Sequence, residues 1–471
     1  MAASSTLPPT LVPTSLRGQQ FRVGDPGYKE ARLIFNMRRD DWDPALIVRP
    51  ADVADLQALM RHAYANNIPV AVRGGGHGPD AAAMPHNQLV VDMSQWKDIT
   101  VDVKTRTVRA GAGTCLGELD AAGLQHGLVV PAGTVSHTGI AGLTLGGGVG
   151  FNMRRFGATV DNLLACELVT ADGRFVRADD SENPDLIWAL RGGGGNFGVV
   201  TTFEYRAHPF PSEVGLATVF FDINEARGVL LKSTEFMKTA PRELQMIPAL
   251  LALPPLPGVP RESYGAPGLL VVCTYSGDHA KFDGLIQDIA ALGKPLGVDA
   301  HIKSWLEVNS FLNATAPYGR RIITRGTYFS ALTEVMVDDM IAAAIQSPPL
   351  PSGGPGVVQE LWLFAGGAIA EDFDEDSCAF SRENALGFYE VVAQWDLPAD
   401  DEENVSWANG TADTVTRNCL ANGYSNFSWD LGPEWVRGLF GKPEKYERLV
   451  ATKKKWDPKN LLRFNKNFPV D

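Results

Sequence analysis

The residues best suited to chemistry lie in a glycine run that follows a short apolar segment. Residues 69–72 are apolar and bounded by a turn signal, which predicts a buried strand. The chain then reads Arg73-Gly74-Gly75-Gly76-His77-Gly78. Consecutive glycines allow positive φ and bring backbone amides close to an anionic ligand, so His77 would lie beside whatever the loop binds. Taken alone, this run is also compatible with a tight turn and a solvated histidine.

Two further glycine clusters favour the binding interpretation. Residues 133–150 contain seven glycines and almost no charge, which indicates backbone packed against a large flat ligand. Residues 191–201 contain a formal G-x-G-x-x-G pattern. A dinucleotide-binding fingerprint needs a strand before it and a helix after it. Here residues 185–190 are helix-like and residues 199–205 are β-rich, so we do not expect a Rossmann site.

Composition limits the function classes. The chain has 471 residues, 45% of them hydrophobic, and a net charge of −13. That length predicts two domains or one domain with a large insertion, and the charge argues against nucleic acid or an anionic membrane as a partner. The five cysteines show no C-x-x-C spacing, so neither a metal site nor a disulfide framework is expected. Without a recognisable signal peptide or membrane span, we expect a cytoplasmic protein.

The order of elements suggests where the domains divide. An amphipathic helix beginning near Val53 leads into the strand before His77, followed by short strands and a helix over residues 116–125. The glycine clusters stop at His208-Pro209, where longer β and helical runs begin, and the compact C-terminal pattern suggests a return to the first domain. We therefore predict an N-terminal arm over 1–30, a first domain over 31–208, a second over 209–436 and a return over 437–471.

Five motifs occur in order from about residue 30 to the C-terminus. They are Arg73-Gly74-Gly75-Gly76-His77, Gly139-x-x-Gly142-x-x-x-Gly146-Gly147-Gly148-x-Gly150, Asp161-Asn162, Gly193-x-x-Asn196-Phe197-Gly198-Val199-Val200-Thr201, and Asp457-Pro458-x-Asn460 with Asn465-x-Asn467. This set resembles the berberine bridge enzyme branch of the vanillyl-alcohol oxidase and p-cresol methylhydroxylase flavoproteins. The resemblance implies an α+β fold in which a two-part FAD-binding domain carries an inserted substrate domain, an antiparallel sheet covered by helices.

The resemblance also implies how FAD is held. His77 would be joined covalently to the 8α-methyl group of the flavin. Many members carry a second bond from a cysteine, but Val135 occupies that position, so a single link is expected, as in 6-hydroxynicotine oxidase-like members. Thr138 falls where the family gates oxygen access, and its Val-like shape favours an oxidase. The residues expected to bind FAD are Arg73, Gly74, Gly75, Gly76, His77, Gly78, Thr138, Gly139, Gly142, Gly146, Gly147, Gly148, Gly150, Asn162, Val199, Val200, Asn465 and Asn467.

The family's catalytic bases are missing from this sequence. Phe427, Phe388 and Leu363 stand at positions that are polar in other members. Alcohol oxidation then lacks its obvious proton acceptor, whereas the lone pair of a neutral amine can assist hydride transfer directly. The remaining candidates for catalysis are His137, Tyr424, Asn426 and Glu360. Glu390 is a further carboxylate whose face the strand alternation alone does not fix.

Aromatic side chains near these positions predict an apolar cavity, or simply core. They are Trp362, Phe364, Phe388, Phe427 and Trp429.

The first functional hypothesis is an FAD-dependent oxidase. It would pass hydride from a small, largely apolar amine or secondary metabolite to flavin N5, and O2 would reoxidise the flavin to give H2O2. A carbohydrate or alcohol oxidase with an unfamiliar base is the alternative within enzymes. A flavin-binding scaffold without redox turnover is the alternative from another class.

Overall fold

The computed structural model describes residues 11–348, 356–428 and 431–470. Trp429, one of the aromatic residues named above, lies outside these ranges. Within them, no helix has both the length and the apolar character needed to cross a bilayer.

Within the described ranges, the chain forms four sheets and a set of helices that alternate along the sequence. The strands are β1 (Gln19–Phe21), β2 (Leu46–Arg49), β3 (Val70–Arg73), β4 (Leu89–Asp92), β5 (Ile99–Asp102), β6 (Thr107–Gly111), β7 (Leu128–Val129), β8 (Leu163–Val169), β9 (Phe175–Asp179), β10 (Val199–Arg206), β11 (His208–Pro209), β12 (Glu213–Asp222), β13 (Leu244–Ala252), β14 (Pro267–Tyr275), β15 (Pro295–Ser304), β16 (Arg321–Phe329), β17 (Val357–Leu363) and β18 (Gly387–Trp395). The helices are α1 (Tyr28–Arg32), α2 (Val53–Asn66), α3 (Leu116–Leu124), α4 (Ile140–Leu145), α5 (Met153–Phe156), α6 (Pro184–Leu190), α7 (Ile223–Thr239), α8 (Phe282–Ala290), α9 (Trp305–Val308), α10 (Glu334–Ile345), α11 (Ala368–Glu371), α12 (Asp401–Val415), α13 (Pro433–Gly438) and α14 (Pro443–Trp456).

The helix, strand and glycine loop expected before His77 are present. The Asp52 side chain caps α2 by accepting a hydrogen bond from the Asp55 amide, and Asn67 ends the helix in a left-handed conformation. Strand β3 then pairs in parallel with β4 and delivers the glycine run at its carboxyl end. The third cluster lies between α6 and β10. The helix-before-strand order that argued against a Rossmann site is therefore confirmed.

A four-stranded sheet and a five-stranded sheet share one core. Their orders are β1-β2-β4-β3 and β5-β6-β10-β8-β9. The same core contains Leu461, Leu462 and Phe468 from the C-terminal tail. The fully buried Lys453 fixes this tail by donating to Asp457 and to the carbonyls of Asn196 and Leu462 at 2.8–2.9 Å.

A seven-stranded antiparallel sheet forms the centre of the second part. Its order is β15-β12-β14-β13-β17-β18-β16. Side chains from α7, α8, α10 and α12 pack on one face. The opposite face packs against Val149, Phe151 and Met153, which follow the second glycine cluster. The α+β fold with an antiparallel sheet covered by helices is thus confirmed, and the other face of the sheet is turned toward the glycine clusters.

One buried arginine ties the two parts together. Arg154 on α5 has no exposed surface. Its guanidinium donates to the carbonyls of Met237, Ala240 and Pro241 at the C-terminal end of α7 at 2.9–3.3 Å, to Ala365 at 3.0 Å, and to Leu244. Burial lowers the Arg154 pKa to about 10, so it stays charged at neutral pH and offsets the negative end of α7.

We expect Arg154→Met to destabilise the protein strongly. The substitution leaves several buried carbonyls without donors, which should reduce the free energy of unfolding by about 3 kcal/mol or more. Arg227→Met is the matched control, because Arg227 pairs with Glu334 and Asp338 at the exposed surface, where ion pairs contribute little to stability. Urea unfolding of both variants tests this, and equal midpoints would contradict the assignment.

Candidate active site

The His77 loop is positioned by a close backbone contact with the second glycine cluster. A Cβ atom built on Gly75 would lie 2.4 Å from the Gly139 nitrogen, and one built on Gly139 would lie 2.4 Å from the Gly75 nitrogen. Real Cβ atoms do not approach other atoms this closely, so both positions require glycine. The contact brings the His77 loop against residues 137–139.

His77 lies in a cluster of rings drawn from distant parts of the chain. Phe35 stacks on its imidazole with a centroid separation of 3.9 Å, and Tyr318 meets it edge-on at 5.5 Å. His77 Nε2 lies 3.2 Å from His137 Nδ1. Burial, and secondarily the neighbouring His137, lowers the His77 pKa to about 3, so the ring is neutral at physiological pH.

His137 is itself held by residues of the second part. The Tyr318 hydroxyl lies 2.7 Å from the Gly75 carbonyl and 3.3 Å from the His137 carbonyl. The Asn313 side chain accepts a hydrogen bond from the Ser136 amide at 2.9 Å and donates to the Ser136 hydroxyl at 2.7 Å. Burial lowers the His137 pKa. Phe35, Asn313 and Tyr318 were missed by sequence reasoning, because no local motif marks them.

The loops offer polar groups and space suited to FAD. In the described part of the chain, the amides of residues 74–78 donate to no protein acceptor. The buried side-chain oxygens of Asn465 and Asn467 also lack partners there. A Cβ at Gly142 or Gly195 would meet no neighbouring atom within 4 Å. Unpaired donors and acceptors around open space are what a dinucleotide with phosphate, ribityl and ring polar atoms requires.

Other predicted cofactor residues contact mainly the protein itself. A Cβ at Gly146, Gly147, Gly148 or Gly150 would collide with Asn426, Phe380, Thr159 and the Ala132 carbonyl, respectively. Close packing of the chain therefore accounts for these glycines directly.

Asn162, Val199 and Val200 also have protein neighbours. The Asn162 amide donates to the carbonyls of Phe156 and Ala158, and its oxygen pairs with His208. Val199 and Val200 are buried where β10 begins. For these residues a role in FAD binding remains a prediction.

Tyr424 and Asn426 join the second part to the glycine segment. The buried Tyr424 hydroxyl accepts hydrogen bonds from the Gly148 amide at 3.2 Å and from the Asn426 side chain at 3.0 Å. Asn426 also donates to the Leu143 carbonyl at 3.0 Å. Burial raises the Tyr424 pKa to about 12, so it is a poor base at neutral pH. These contacts give both residues a positioning role, and the prediction that they contact substrate stays open.

Glu360 is not alone on its strand face. The β17–β18 register places it directly opposite Glu390, on the face that carries Trp362 and Phe388. Glu390 is 5% exposed, and its carboxylate accepts a hydrogen bond of 2.5 Å from the Thr324 hydroxyl. Burial raises the Glu360 pKa to about 7 and the Glu390 pKa well above its usual range, with the Glu360 charge adding to the latter. Because the two residues are directly opposite on one strand face, ionisation of one carboxyl disfavours ionisation of the other.

The pair lies between an aromatic patch and the His77 ring cluster. On one side, Phe388 and Trp362 pack against Phe427, with centroids 5.8 and 5.5 Å apart. On the other side, Val392 follows Glu390 on the same strand face and packs against the cluster that contains Phe35. An acidic pair flanked by apolar surface near the His77 ring cluster can bind a cationic group and exchange a proton with it.

Family comparison agrees with this geometry. A family described as FAD binding domain matches residues 44–179, and one described as berberine and berberine like matches residues 423–469. The chain is 29% identical over 464 residues to an FAD-linked oxidoreductase of Dictyostelium discoideum, covering 96% of this chain and 95% of that one. It is 27% identical over 474 residues to (R)-6-hydroxynicotine oxidase of Paenarthrobacter nicotinovorans, covering 97% of each.

Solved structures give the same picture of the fold. Wild-type BBE-like 1 from Physcomitrella patens superposes with a TM-score of 0.84 at 25% identity, over 97% of this chain and 98% of that one. Xylooligosaccharide oxidase from Myceliophthora thermophila superposes equally well, with a TM-score of 0.84 over 97% and 98%. At 20% identity the second likeness concerns the fold alone.

We expect Glu390→Gln to stabilise the protein at high pH. Because burial raises the folded-state pKa of both carboxyls above the unfolded value of about 4.3, the wild type loses stability as pH rises above about 4, up to about 7 for Glu360 and to higher pH for Glu390. The amide removes this cost while still accepting from Thr324. The melting temperature of Glu390→Gln relative to wild type should therefore increase from pH 4 to pH 8, and a constant difference would contradict the raised pKa.

Proposed function

The chain is a berberine bridge enzyme-like FAD-linked oxidoreductase, and on that premise we propose that it oxidises small, largely apolar amines. The electron acceptor in this proposal is O2, and FAD is bound covalently through His77 alone. The observation that carries the amine assignment is the Glu360–Glu390 pair.

Residues on three segments would hold the cofactor. The free amides of residues 74–78 suit its phosphates or ring oxygens, and the side-chain oxygens of Asn465 and Asn467 suit its hydroxyl and ring N–H groups. When bound, FAD supplies a two-electron acceptor that takes hydride from a substrate C–H bond and passes the electrons to O2 as H2O2.

The acidic pair supports binding of a cationic amine. A protonated amine brings a positive charge next to Glu360, which favours ionisation of that carboxyl. Trp362, Phe388 and Phe427 would surround the apolar part of the substrate and exclude water. A neutral polyol brings no charge to offset the cost of ionising the buried pair, so the site favours amines over sugars.

The same pair supports removal of the ammonium proton. With a pKa near 7, Glu360 can accept a proton at neutral pH and leave the amine neutral. The freed nitrogen lone pair then assists loss of hydride from the adjacent carbon, so no base is needed at Phe427, Phe388 or Leu363. The similarity to a 6-hydroxynicotine oxidase points to the same substrate class.

A single covalent link follows from the side chains near His77. Val135, at the position of the second linking cysteine in other members, packs against the cluster that contains Phe35. Cys115 is the thiol next to this segment, because its backbone forms a β-bridge with Gly139. Burial raises the Cys115 pKa, and a protonated thiol is a weak nucleophile.

We expect His77→Ala to abolish covalent flavin while Cys115→Ser leaves it unchanged. Each protein is denatured in acid and filtered, and the flavin absorbance retained with the polypeptide is measured. Complete release from His77→Ala and full retention in Cys115→Ser would agree with a single histidyl link. Retention of flavin by His77→Ala would show a different attachment site.

We expect the wild-type protein to release peroxide with amines but not with sugars. We also expect Glu360→Gln to lose activity toward amines. For a cationic amine, wild-type kcat/KM should rise from pH 6 to pH 8 as Glu360 ionises, and Glu360→Gln should lose that rise and about a hundredfold in kcat/KM. Glu402→Gln is the matched control, because Glu402 is an exposed carboxylate on α12.

Two results would favour the other hypotheses. Peroxide release with oligosaccharides alone would favour a carbohydrate oxidase, whose fold the chain shares with xylooligosaccharide oxidase. A flavin that dithionite reduces readily, but that no amine or sugar bleaches without oxygen, would favour a non-redox scaffold.

A further inference from the structure

The two edges of the seven-stranded sheet differ in how they are covered. At the β16 edge, the segment 420–422 exchanges two backbone hydrogen bonds with Tyr328, at 2.9 and 3.4 Å. The Asn36 side chain bonds both the amide and the carbonyl of Ile322, at 3.1 and 2.9 Å. In the part of the chain that the structure describes, residues 296–303 at the β15 edge form backbone hydrogen bonds with β12 alone, and none of them is buried. An uncovered edge strand presents unpaired backbone groups to a partner.

The β15 backbone groups that face away from the sheet can be assigned from the register. The Trp305 amide donates to the Ser212 carbonyl at 2.8 Å, as an opposed pair that continues the β12–β15 register. Opposed pairs in an antiparallel ladder alternate between hydrogen-bonded and non-hydrogen-bonded. The odd-numbered residues of β15 after its bulge therefore bond β12, and Val298, Ala300 and Ile302 direct their amides and carbonyls outward.

The outward edge of β15 is complementary to a second copy of itself. Placed antiparallel to itself about Ala300, β15 sets Val298 opposite Ile302 of the second copy. The same register sets Asp299 opposite His301. Val298 and Ile302 are 42% and 39% exposed, so this pairing removes apolar surface from water. An imidazole donates a hydrogen bond to a carboxylate whether it is neutral or charged, and cross-strand pairs of both kinds stabilise a sheet.

We propose that the protein forms a homodimer by pairing two β15 strands antiparallel, with the two-fold axis at Ala300. The seven-stranded sheets of the two copies then form one continuous sheet. Ala300 exchanges both backbone hydrogen bonds with its own counterpart, and Val298 exchanges both with Ile302. Within one chain, His301 Nε2 already lies 2.9 Å from an Asp299 carboxylate oxygen, so in the dimer two aspartates and two histidines alternate in one cluster. This surface lies outside the candidate active site, so the dimer goes beyond the proposed function.

Neighbouring registers are less favourable. Centred on Asp299, the pairing would oppose two carboxylates, which repel each other. Centred on His301, it would set that imidazole against its own counterpart and place Val298 opposite Ser304. The Ser304 amide is already used, because it donates to the Glu307 carboxylate at 3.1 Å. Of these three registers, the proposed one pairs the apolar side chains with each other and opposes a carboxylate to an imidazole.

The dimer leaves both candidate active sites open. Glu360 and Glu390 lie on β17 and β18, and three strands separate β17 from β15 in the sheet order. At about 4.8 Å between neighbouring strands, the interface is roughly 19 Å from the acidic pair. Variants that break the interface should therefore keep flavin binding and amine turnover.

The first test is the mass of the flavin-loaded, full-length protein in solution, measured by sedimentation at several concentrations. We expect the wild type to approach twice the mass of one chain as its concentration rises. Ala300→Pro removes an outward amide and no bond to β12, so it should remain a monomer at every concentration. Ile302→Lys opposes a charge to Val298 and should do the same. Val335→Lys, at a side chain on α10 that is 51% exposed, is the matched control and should dimerise like wild type.

A second test locates the register by disulfide formation. Opposed residues in a non-hydrogen-bonded pair lie close enough for a disulfide, with Cα atoms about 4.5 Å apart. We therefore expect an equal mixture of Asp299→Cys and His301→Cys proteins to give a covalent dimer on oxidation, and neither protein alone to do so. Oxidised wild type, whose own cysteines are unpaired, gives the background.

Three results would overturn the inference. In the first, the wild type has the mass of one chain at every concentration, which leaves β15 to another partner or to solvent. In the second, Ala300→Pro and Ile302→Lys dimerise like wild type, which places the interface elsewhere. In the third, His301→Cys alone forms the covalent dimer, which indicates a shifted register. If Ala300→Pro does not fold, as judged by circular dichroism, Ile302→Lys decides.

Discussion

The site depends on the contact between two glycine backbones. Gly75 and Gly139 approach so closely that neither position has room for a Cβ atom. This contact brings the loop after β3 against the residues before α4, and so places the His77 and His137 imidazoles within hydrogen-bonding distance. A side chain at either glycine would force the loops apart and separate the rings before any other feature of the site was altered.

The seven-stranded sheet packs against the glycine clusters and completes the site around His77. Arg154, without exposed surface, is hydrogen-bonded to carbonyls at the end of α7 and after β17. Tyr424 and Asn426 bind the backbone of the second glycine cluster. These contacts turn one face of the sheet toward the His77 loop. The acidic pair on that face then has apolar neighbours on both sides, which raises the pKa of each carboxyl.

Many predicted residues proved to have a packing role as well as a proposed chemical one. The absence of a side chain at Gly146 leaves room for the Asn426 side chain, and Gly150 lies against the Ala132 carbonyl. Asp457, part of the C-terminal motif, accepts hydrogen bonds from the buried Lys453 and from the amides of Leu461 and Leu462. Motifs of this kind mark the fold because the same residues shape the ligand site and close the core around it.

From the sequence alone, the glycine clusters and His77 could be identified as a ligand site, and FAD and the α+β class could be predicted. Those signals are local, because residue types at a fixed spacing limit the conformations that the backbone can adopt there. Only the tertiary structure shows that Glu360 and Glu390 are paired across neighbouring strands. Strand alternation assigns side chains to two faces, but it does not predict which strands pair or in what register. The ring cluster around His77 also depends on tertiary structure, since Phe35 and Tyr318 reach it from segments nearly three hundred residues apart, which no spacing rule connects.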